Sequence, residues 1–493
     1  MAEAFVAPNK RIYVLVAAIL ASSMGFIDGS VISIATPAIR ADLGASLGDA
    51  QWVANAYLLL LSSVLLLGGA AGDRFGIRNV FAGGIILFVA ASLVSAIAPN
   101  ALLLIVARAV QGLGAAFMVP SSLAIIARAY PRDERGAAIG VWSSASSFFT
   151  IAGPIIGGLV LTTLGDWSWR LVFAVNLPLG IAALVLLFTQ VPADIPDSTR
   201  RLDFGGAILS TVSLLLLALA LTGETTPIPW RLALGATGLV AVAAFLWWEA
   251  HREGPMVPLG LFRDRAFSGA QALTFALYFS LAAITFYLPA TLIAGWGATP
   301  SEVSVVLLPL GIMLTLLSPI AGRFSDRLGP GPMIAAGASL VALSFLGLGI
   351  FAGIHSIWLM VLPLMVLFGL GMSLVVSPLS TAVMTSVEDR NTGTASGINN
   401  AVARVAGLLA VATMGGLAAF VFSWTLGGDA GGLSFGAPVE GGPTPEASLA
   451  TDRAFAAIAY VTAALSLLSG VIAWFTLEHK GRVAAPVKPP PGA

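Results

Sequence analysis

The sequence predicts an all-α polytopic membrane protein with fourteen transmembrane helices, organised as two six-helix halves plus an inserted hairpin. Composition, the length of the apolar runs and an internal repeat are the observations behind this fold class. Of the 493 residues, 58% are hydrophobic and 10% are charged, whereas a soluble domain carries about 25% charged residues. The mean hydropathy is +0.95, which indicates the lipid bilayer as the surrounding medium. The net charge is zero and gives no case for a nucleic-acid partner.

Apolar runs of about 20 residues, enough to cross a bilayer as a helix, recur along the whole chain. The fourteen spans are placed near 12–36, 50–71, 79–98, 101–126, 137–162, 170–190, 203–222, 230–249, 268–293, 302–321, 331–352, 357–382, 396–422 and 454–476. With the N-terminus inside the cell, eighteen of the 24 Lys and Arg residues fall in inner loops and tails. Inner loops are enriched in these residues. Both termini are therefore predicted to be cytoplasmic, and the protein to lie in the cell inner (plasma) membrane.

A short charged loop occurs twice and divides the chain into halves. Four positions of its first copy return 253 residues later: Gly69, Asp73, Arg74 and Gly76 become Gly322, Asp326, Arg327 and Gly329. A repeat of this kind indicates two equivalent structural units. In membrane transporters with paired repeats, the working site lies between the repeats near the bilayer midplane.

The 253-residue offset also sets the predicted domains. Six spans occupy about 190 residues, so the surplus of about 60 residues fits one inserted helical hairpin, spans seven and eight. The predicted domains are a first half (1–195), the hairpin (196–256), a second half (257–480) with a long outer loop (424–453), and a disordered cytoplasmic tail (481–493).

The repeated loop supports a gating hypothesis. Its glycines permit close helix approach and turn geometry, a carboxylate there can cap the next helix, and its arginines can pair with groups on the other half. The plain alternative is topogenic charge with turn residues. Two copies at one offset favour a cytoplasmic gate formed by Gly69, Asp73, Arg74, Gly76, Arg78, Asp326 and Arg327.

An intramembrane carboxylate, Asp28 in span one, is the first candidate for chemistry, because such groups are costly in lipid and mark function. By helical rise it lies about 18 Å below Arg40. Arg108 of the antiparallel span four reaches a similar depth and can pair with it. An apolar cavity favours the protonated carboxyl, and a nearby arginine favours the carboxylate. Movement of Arg108 is therefore expected to switch a proton on and off, the alternative being a static ion pair.

Other polar groups at membrane depth are Tyr57, Gln111, Asn399 and Asn400. They line a substrate cavity or hydrogen-bond between helices, and the sequence leaves both readings open. In span five, Gly153, Pro154 and Gly157 combine a helix break with small-residue spacing, which predicts a hinge or a helix contact.

Several function classes find no support in the sequence. No G-x-x-x-x-G-K-[ST] phosphate loop occurs, which disfavours an ATP-driven pump. There is no cysteine, and no metal cluster or catalytic triad is indicated. We expect no cofactor, with protons as the coupling ion, and no enzyme activity.

The combined motifs resemble the major facilitator superfamily, and within it the fourteen-span drug:proton antiporter branch. They are Gly69-x-x-x-Asp73-Arg74-x-Gly76-x-Arg78, Arg108-x-x-Gln111-Gly112, Gly153-Pro154-x-x-Gly157-Gly158, Trp169-Arg170-x-x-Phe173-x-x-Asn176, and Ala395-Ser396-Gly397-x-Asn399-Asn400 with Arg404. The resemblance covers nearly the whole chain. It implies proton coupling through the span-four motif and antiport through the span-five motif.

The expected function is proton-coupled efflux of amphipathic or lipophilic drug-like compounds by alternating access. The single clear acid at membrane depth favours monovalent cations or neutral lipophiles as cargo. The alternatives are a transporter of one lipid or metabolite, a solute uptake symporter, and a membrane sensor or scaffold. A periplasmic adaptor protein is left open as a partner.

Overall fold

The computed structural model describes residues 6–192, 202–222, 227–388, 391–428, 433–437, 442 and 444–478. The predicted tail and most of the predicted outer loop between 429 and 443 lie outside the described residues, and so does the side chain of Asp326. The α-helices in the described ranges are α1 (Arg11–Leu43), α2 (Leu47–Phe75), α3 (Ile77–Ala96), α4 (Ala101–Ala129), α5 (Arg132–Leu164), α6 (Trp169–Ala174), α7 (Asn176–Gln190), α8 (Phe204–Leu221), α9 (Ile228–His251), α10 (Arg265–Ala290), α11 (Pro300–Leu328), α12 (Pro330–Ile350), α13 (Leu362–Thr385), α14 (Thr392–Thr425) and α15 (Pro445–Thr476).

Fourteen helical segments of the described chain are long and apolar enough to cross a membrane, which confirms the predicted number. Helices α6 and α7 together form one of them, Asp166–Gln190. Short connections make successive spans run in opposite directions. We call the end where α1 begins the basic end, because Arg11, Arg74 and Arg327 lie there. The other end is the distal end.

The repeated loop has the same backbone geometry in both copies. Gly76 joins α2 to α3 with φ 90°, and Gly329 joins α11 to α12 with φ 85°. Residues with a Cβ rarely adopt a positive φ of this size, so glycine is required at both turns. The sequence repeat is therefore a structural repeat at the basic end.

The first half has an apolar core to which Ala207 of α8 contributes, and the core of the second half extends into the first half through residues such as Ile39 and Leu104. The core of the first half includes Phe81, Phe88 and Met118, and that of the second half includes Phe345 and Phe368. Two six-span halves and an inserted hairpin confirm the predicted fold class. The predicted boundary at 195/196 falls in residues 193–201, which the structure does not describe.

The hairpin, α8 and α9, packs along one seam between the halves. Leu214 and Ala218 of α8 contact Leu59 of α2 and Leu408 of α14, and Thr211 Oγ1 donates a hydrogen bond to Ser63 Oγ of α2 at 2.9 Å. The α8 helix thus touches both halves. On the opposite seam, α5 contacts α11.

Contacts between the halves close the distal end. Gln51 Nε2 of α2 donates to the Tyr287 hydroxyl of α10 at 3.0 Å, and Ser301 Oγ of α11 donates to Thr162 Oγ1 of α5 at 2.8 Å. Arg40, at the distal end of α1, donates through Nη1 to the Phe435 carbonyl oxygen at 2.6 Å. The space between the halves is therefore sealed on its distal side.

Candidate functional site

An ion pair between α1 and α4 forms the centre of the candidate site. Asp28 is 0% exposed and Arg108 1% exposed. The Nη1 group of Arg108 donates a hydrogen bond to Asp28 Oδ2, and Gln111 Nε2 donates to Asp28 Oδ1 at 3.2 Å. Because α1 and α4 are antiparallel, these positions reach the same depth, as the sequence predicts.

Two further hydrogen bonds and a ring contact hold Arg108. Its Nε donates to the Val53 carbonyl oxygen at 2.9 Å, and its Nη1 also donates to Gln111 Oε1 at 2.6 Å. The guanidinium carbon lies 4.4 Å from the centroid of the Tyr57 ring, which supplies a cation–π contact. The side chain is thus fixed from three sides.

Close packing of α2 on α4 brings Tyr57 onto this arginine. A Cβ built on Gly112 would lie 2.2 Å from the Tyr57 carbonyl oxygen, a distance that no side chain tolerates. Glycine at 112 therefore allows the two backbones to approach beside Arg108. This is a physical reason for the glycine that follows Gln111 in the sequence.

A second layer of polar side chains holds Gln111 in place, and sequence reasoning missed it. Gln111 Nε2 donates to Ser92 Oγ of α3 at 2.9 Å, and Asn176 Nδ2 of α7 donates to the same oxygen at 3.2 Å. All three side chains are fully buried. Asn176 lies in the Trp169–Asn176 motif, and that motif was the available signal. Ser92 gave none, because serines are common in membrane helices.

The charges of the pair are strongly coupled. Two opposite charges away from water are held by attraction, and removal of one leaves the other uncompensated. A proton on Asp28 cancels its charge and removes the attraction that holds Arg108 Nη1. The arrangement can therefore convert proton uptake into movement of a guanidinium group.

A cavity of about 440 Å³ lies between the halves beside this pair. Its walls come from α1, α2, α4 and α5 of the first half and from α10, α11 and α14 of the second, and they are largely apolar, as with Phe26, Ile151 and Leu307. Pockets of about 300–1,000 Å³ with few polar groups are typical of small-molecule sites. Arg108 and Arg404 are the only Lys or Arg side chains in the described lining, which contains no Asp or Glu.

The four residues predicted for the cavity take different places. Tyr57 lines it, whereas Gln111 lies behind Arg108 in the hydrogen-bond network. Asn399 Oδ1 accepts a hydrogen bond from Thr274 Oγ1 of α10 at 2.8 Å. Asn400 is exposed and donates through Nδ2 to the Ser396 carbonyl oxygen at 3.2 Å. Neither asparagine belongs to the described cavity wall.

The residues predicted for the gate lie together at the basic end, but their described contacts stay within one half. Asp73 pairs with Arg128 of α4 at 3.5 Å. Arg78 Nη2 donates to the Phe188 carbonyl oxygen of α7 at 3.2 Å, and Arg74 lies over the ring of Phe75. Gly69 is exposed on α2, and Arg327 is exposed at the end of α11.

The residues predicted for the hinge connect the Asp28 helix to the other half. A Cβ on Gly153 would lie 2.8 Å from Ser30 Oγ, and one on Gly157 would lie 2.5 Å from Val31 Cγ1. Pro154 presents its carbonyl oxygen to Ser304 Oγ of α11 at 2.6 Å. Helix α5 thus packs on α1 within one turn of Asp28 and on the second half at once.

Two six-span halves, a central cavity between them and a buried ion pair in its wall define a secondary transporter of the major facilitator type. The family model described as Major Facilitator Superfamily matches residues 18–411. The chain therefore belongs to the major facilitator superfamily. It is a membrane transporter rather than an enzyme.

Two curated relatives and one solved structure illustrate the similarity. The chain is 32% identical over 417 residues to the tetracenomycin C resistance and export protein of Streptomyces glaucescens, covering 82% of this chain and 75% of that protein. It is 30% identical to the riboflavin transporter RibZ of Clostridioides difficile, covering 78% and 83%. A bacterial homologue of the lysosomal transporter Spinster, solved in an inward-facing conformation, shares the fold with TM-score 0.67 at 15% identity, covering 95% and 97%.

Proposed function

We propose that the protein is a proton-coupled exporter of amphipathic or lipophilic drug-like compounds in the cell inner membrane, with its basic end in the cytoplasm. The observation that carries the proposal is the buried Asp28–Arg108 pair in the wall of an apolar cavity between the halves. The relative named for tetracenomycin C resistance and export supports the direction of transport.

Proton uptake and cargo binding are linked through Arg108. With Asp28 ionised, the guanidinium is held against α1 and the cavity is free for cargo. When Asp28 takes up a proton, Arg108 loses its counter-charge and moves towards the cavity, where it still has the Tyr57 ring as a partner. In that position the guanidinium fills part of the cavity, so the proton and the cargo exclude each other, as antiport requires.

Alternating access follows from the seams between the halves. With the distal end closed by Gln51–Tyr287 and Ser301–Thr162, cargo loads from the cytoplasmic side. Rocking of the halves breaks these distal contacts and forms equivalent ones at the basic end. The gate residues, among them Asp73, Arg74 and Arg327, would then meet the other half.

A second candidate function is transport of one specific metabolite, because a relative is named as a riboflavin transporter. The same coupling site would serve it, but a panel of unrelated lipophiles would then give no transport.

Export across a second, outer membrane would need a periplasmic adaptor protein, which crosslinking and purification of the tagged chain from membranes would identify.

The test uses purified protein in proteoliposomes with an internal pH dye, an imposed proton gradient and a panel of lipophilic compounds. Wild type is compared with Asp28→Asn, which removes the coupling carboxylate. Asp42→Asn is the matched control, because Asp42 lies on the same helix and also accepts a hydrogen bond from an arginine, Arg170, at the distal rim. We expect compound-dependent proton flux in wild type and Asp42→Asn, and none in Asp28→Asn. Unchanged flux in Asp28→Asn would contradict the proposal.

A further inference from the structure

The second arginine of the cavity, Arg404 of α14, has no counter-charge among the described residues. None of the ion pairs in the described part of the chain includes it, and its Nε is buried without a hydrogen-bond partner. The neighbours that face it electrostatically are the phenols of Tyr57 and Tyr278. The intramembrane carboxylate Asp28 is already engaged by Arg108 and Gln111.

An unsatisfied guanidinium in an apolar wall is energetically costly. Arginine carries five N–H donors, and buried donors left without partners destabilise the folded protein. Within the described residues the cavity offers Arg404 no acidic side chain. A molecule with an acceptor oxygen placed in the cavity would give the terminal Nη groups of Arg404 a partner, whereas the buried Nε stays out of its reach.

The same charge acts against cations. With Asp28 neutralised by Arg108, the described cavity wall carries the uncompensated positive charge of Arg404. Like charges repel strongly where water is scarce. A permanently cationic lipophile therefore meets a barrier that a neutral or acidic compound does not.

We propose that Arg404 is a specificity-determining residue for the exported cargo. The cavity takes amphipathic compounds that present an acceptor oxygen, a carbonyl, phenolate or carboxylate, to its guanidinium, and it excludes permanent lipophilic cations. This inference rests on the proposed export function and narrows its cargo, because the sequence left monovalent cations and neutral lipophiles equally open.

The test compares two probes of nearly the same shape. Triphenylphosphine oxide has a strong acceptor oxygen where methyltriphenylphosphonium has a methyl group and a positive charge. Equilibrium binding of both is measured by quenching of tryptophan fluorescence on detergent-solubilised wild type, Arg404→Met and Arg404→Lys. Each probe partitions into the detergent to the same extent whichever variant is present. Partitioning therefore drops out when the affinity of one probe is compared between variants.

We expect wild type to bind the oxide about 30-fold more tightly than the phosphonium, a difference of about 2 kcal/mol at 1.4 kcal/mol per tenfold. Arg404→Met is expected to lose this preference, and Arg404→Lys to keep most of it. Tighter binding of the phosphonium by wild type than by Arg404→Met would overturn the inference. So would an unchanged preference in Arg404→Met.

Binding is measured without a proton gradient, so this result is independent of coupling. If the oxide is selected but no compound drives proton flux, the export proposal fails and only the selectivity of Arg404 for acceptor oxygens stands. If the phosphonium is exported with proton flux and the oxide is not, the cargo inference fails and the export proposal stands.

Discussion

The two arginines of the cavity, Arg108 and Arg404, have the same side chain and opposite surroundings. Arg108 of the first half contacts a carboxylate, an amide oxygen, a backbone carbonyl and an aromatic ring. Arg404 of the second half faces two phenols and has a buried Nε without a partner. A fully paired charge suits a switch that a proton releases, whereas an unpaired charge suits recognition of a ligand. Under the two proposals, proton coupling lies in the first half and cargo selection in the second.

The largest effect on stability is expected from removal of Arg108, the arginine that has a counter-charge. Arg108→Met leaves Asp28 buried without its counter-charge, and we expect a loss of about 3–5 kcal/mol in the free energy of unfolding. Thermal unfolding in detergent checks this, with the double variant Asp28→Asn, Arg108→Met as control. The double variant should recover most of the loss. A melting temperature of Arg108→Met equal to that of wild type would show that the pair is not held as described.

A smaller effect is expected from the packing that brings Tyr57 onto Arg108. In Gly112→Ala the new Cβ would lie 2.2 Å from the Tyr57 carbonyl oxygen. Helix α2 must therefore move away from α4. Overpacking of this kind costs about 1–3 kcal/mol. Gly83→Ala is the matched control, because a Cβ there meets nothing within 4 Å. Equal melting temperatures for the two variants would contradict the packing argument.

The hydrogen bonds that Ser92 accepts give a further test of how Asp28 and Gln111 are held. Ser92→Ala removes the oxygen that accepts hydrogen bonds from Gln111 and Asn176, and we expect a loss of about 1 kcal/mol. Because Gln111 then holds Asp28 less firmly, the pH dependence of proton flux should also shift relative to wild type. Ser144→Ala on α5, an exposed serine bonded only to the Gly140 carbonyl in its own helix, is the control. A shifted pH profile in both variants would count against a specific role for Ser92.

The smallest effect on stability is expected from removal of Arg404. Arg404→Met removes a charge that has no counter-charge, so the free energy of unfolding should change by less than about 1 kcal/mol or increase. The melting temperature of this variant, beside that of Arg108→Met, is the direct comparison. A loss as large as that of Arg108→Met would mean that Arg404 is a structural residue and would break the contrast between the halves.

Sequence reasoning reached the fold and the Asp28–Arg108 pair because both depend on simple lengths. Helical rise fixes the depth of a residue in a span, and the repeat offset fixes the halves. It did not separate Gln111 from Tyr57, which requires the rotation of each helix about its axis. Helices that are apolar all round carry little periodic signal for that rotation. Ser92 was missed for the same reason.

The importance of Arg404 was equally hidden from the sequence. Its place within a span, four residues after Asn400, was readable, but the lack of a counter-charge among the described residues depends on how several helices pack together. The gate loop shows a related limit. Its turn geometry at Gly76 and Gly329 follows from the sequence, whereas the partners of Asp73 and Arg78 depend on which neighbouring helices close around them.

The most direct test of the separation between proton site and cargo site is proton release on cargo binding. Triphenylphosphine oxide is added to weakly buffered, detergent-solubilised protein with a pH dye, over a series of starting pH values. We predict proton release from wild type, oxide binding without proton release in Asp28→Asn, and weaker oxide binding with less proton release in Arg404→Met. Binding to wild type without proton release at any pH, or loss of oxide binding in a folded Asp28→Asn variant, would contradict the account.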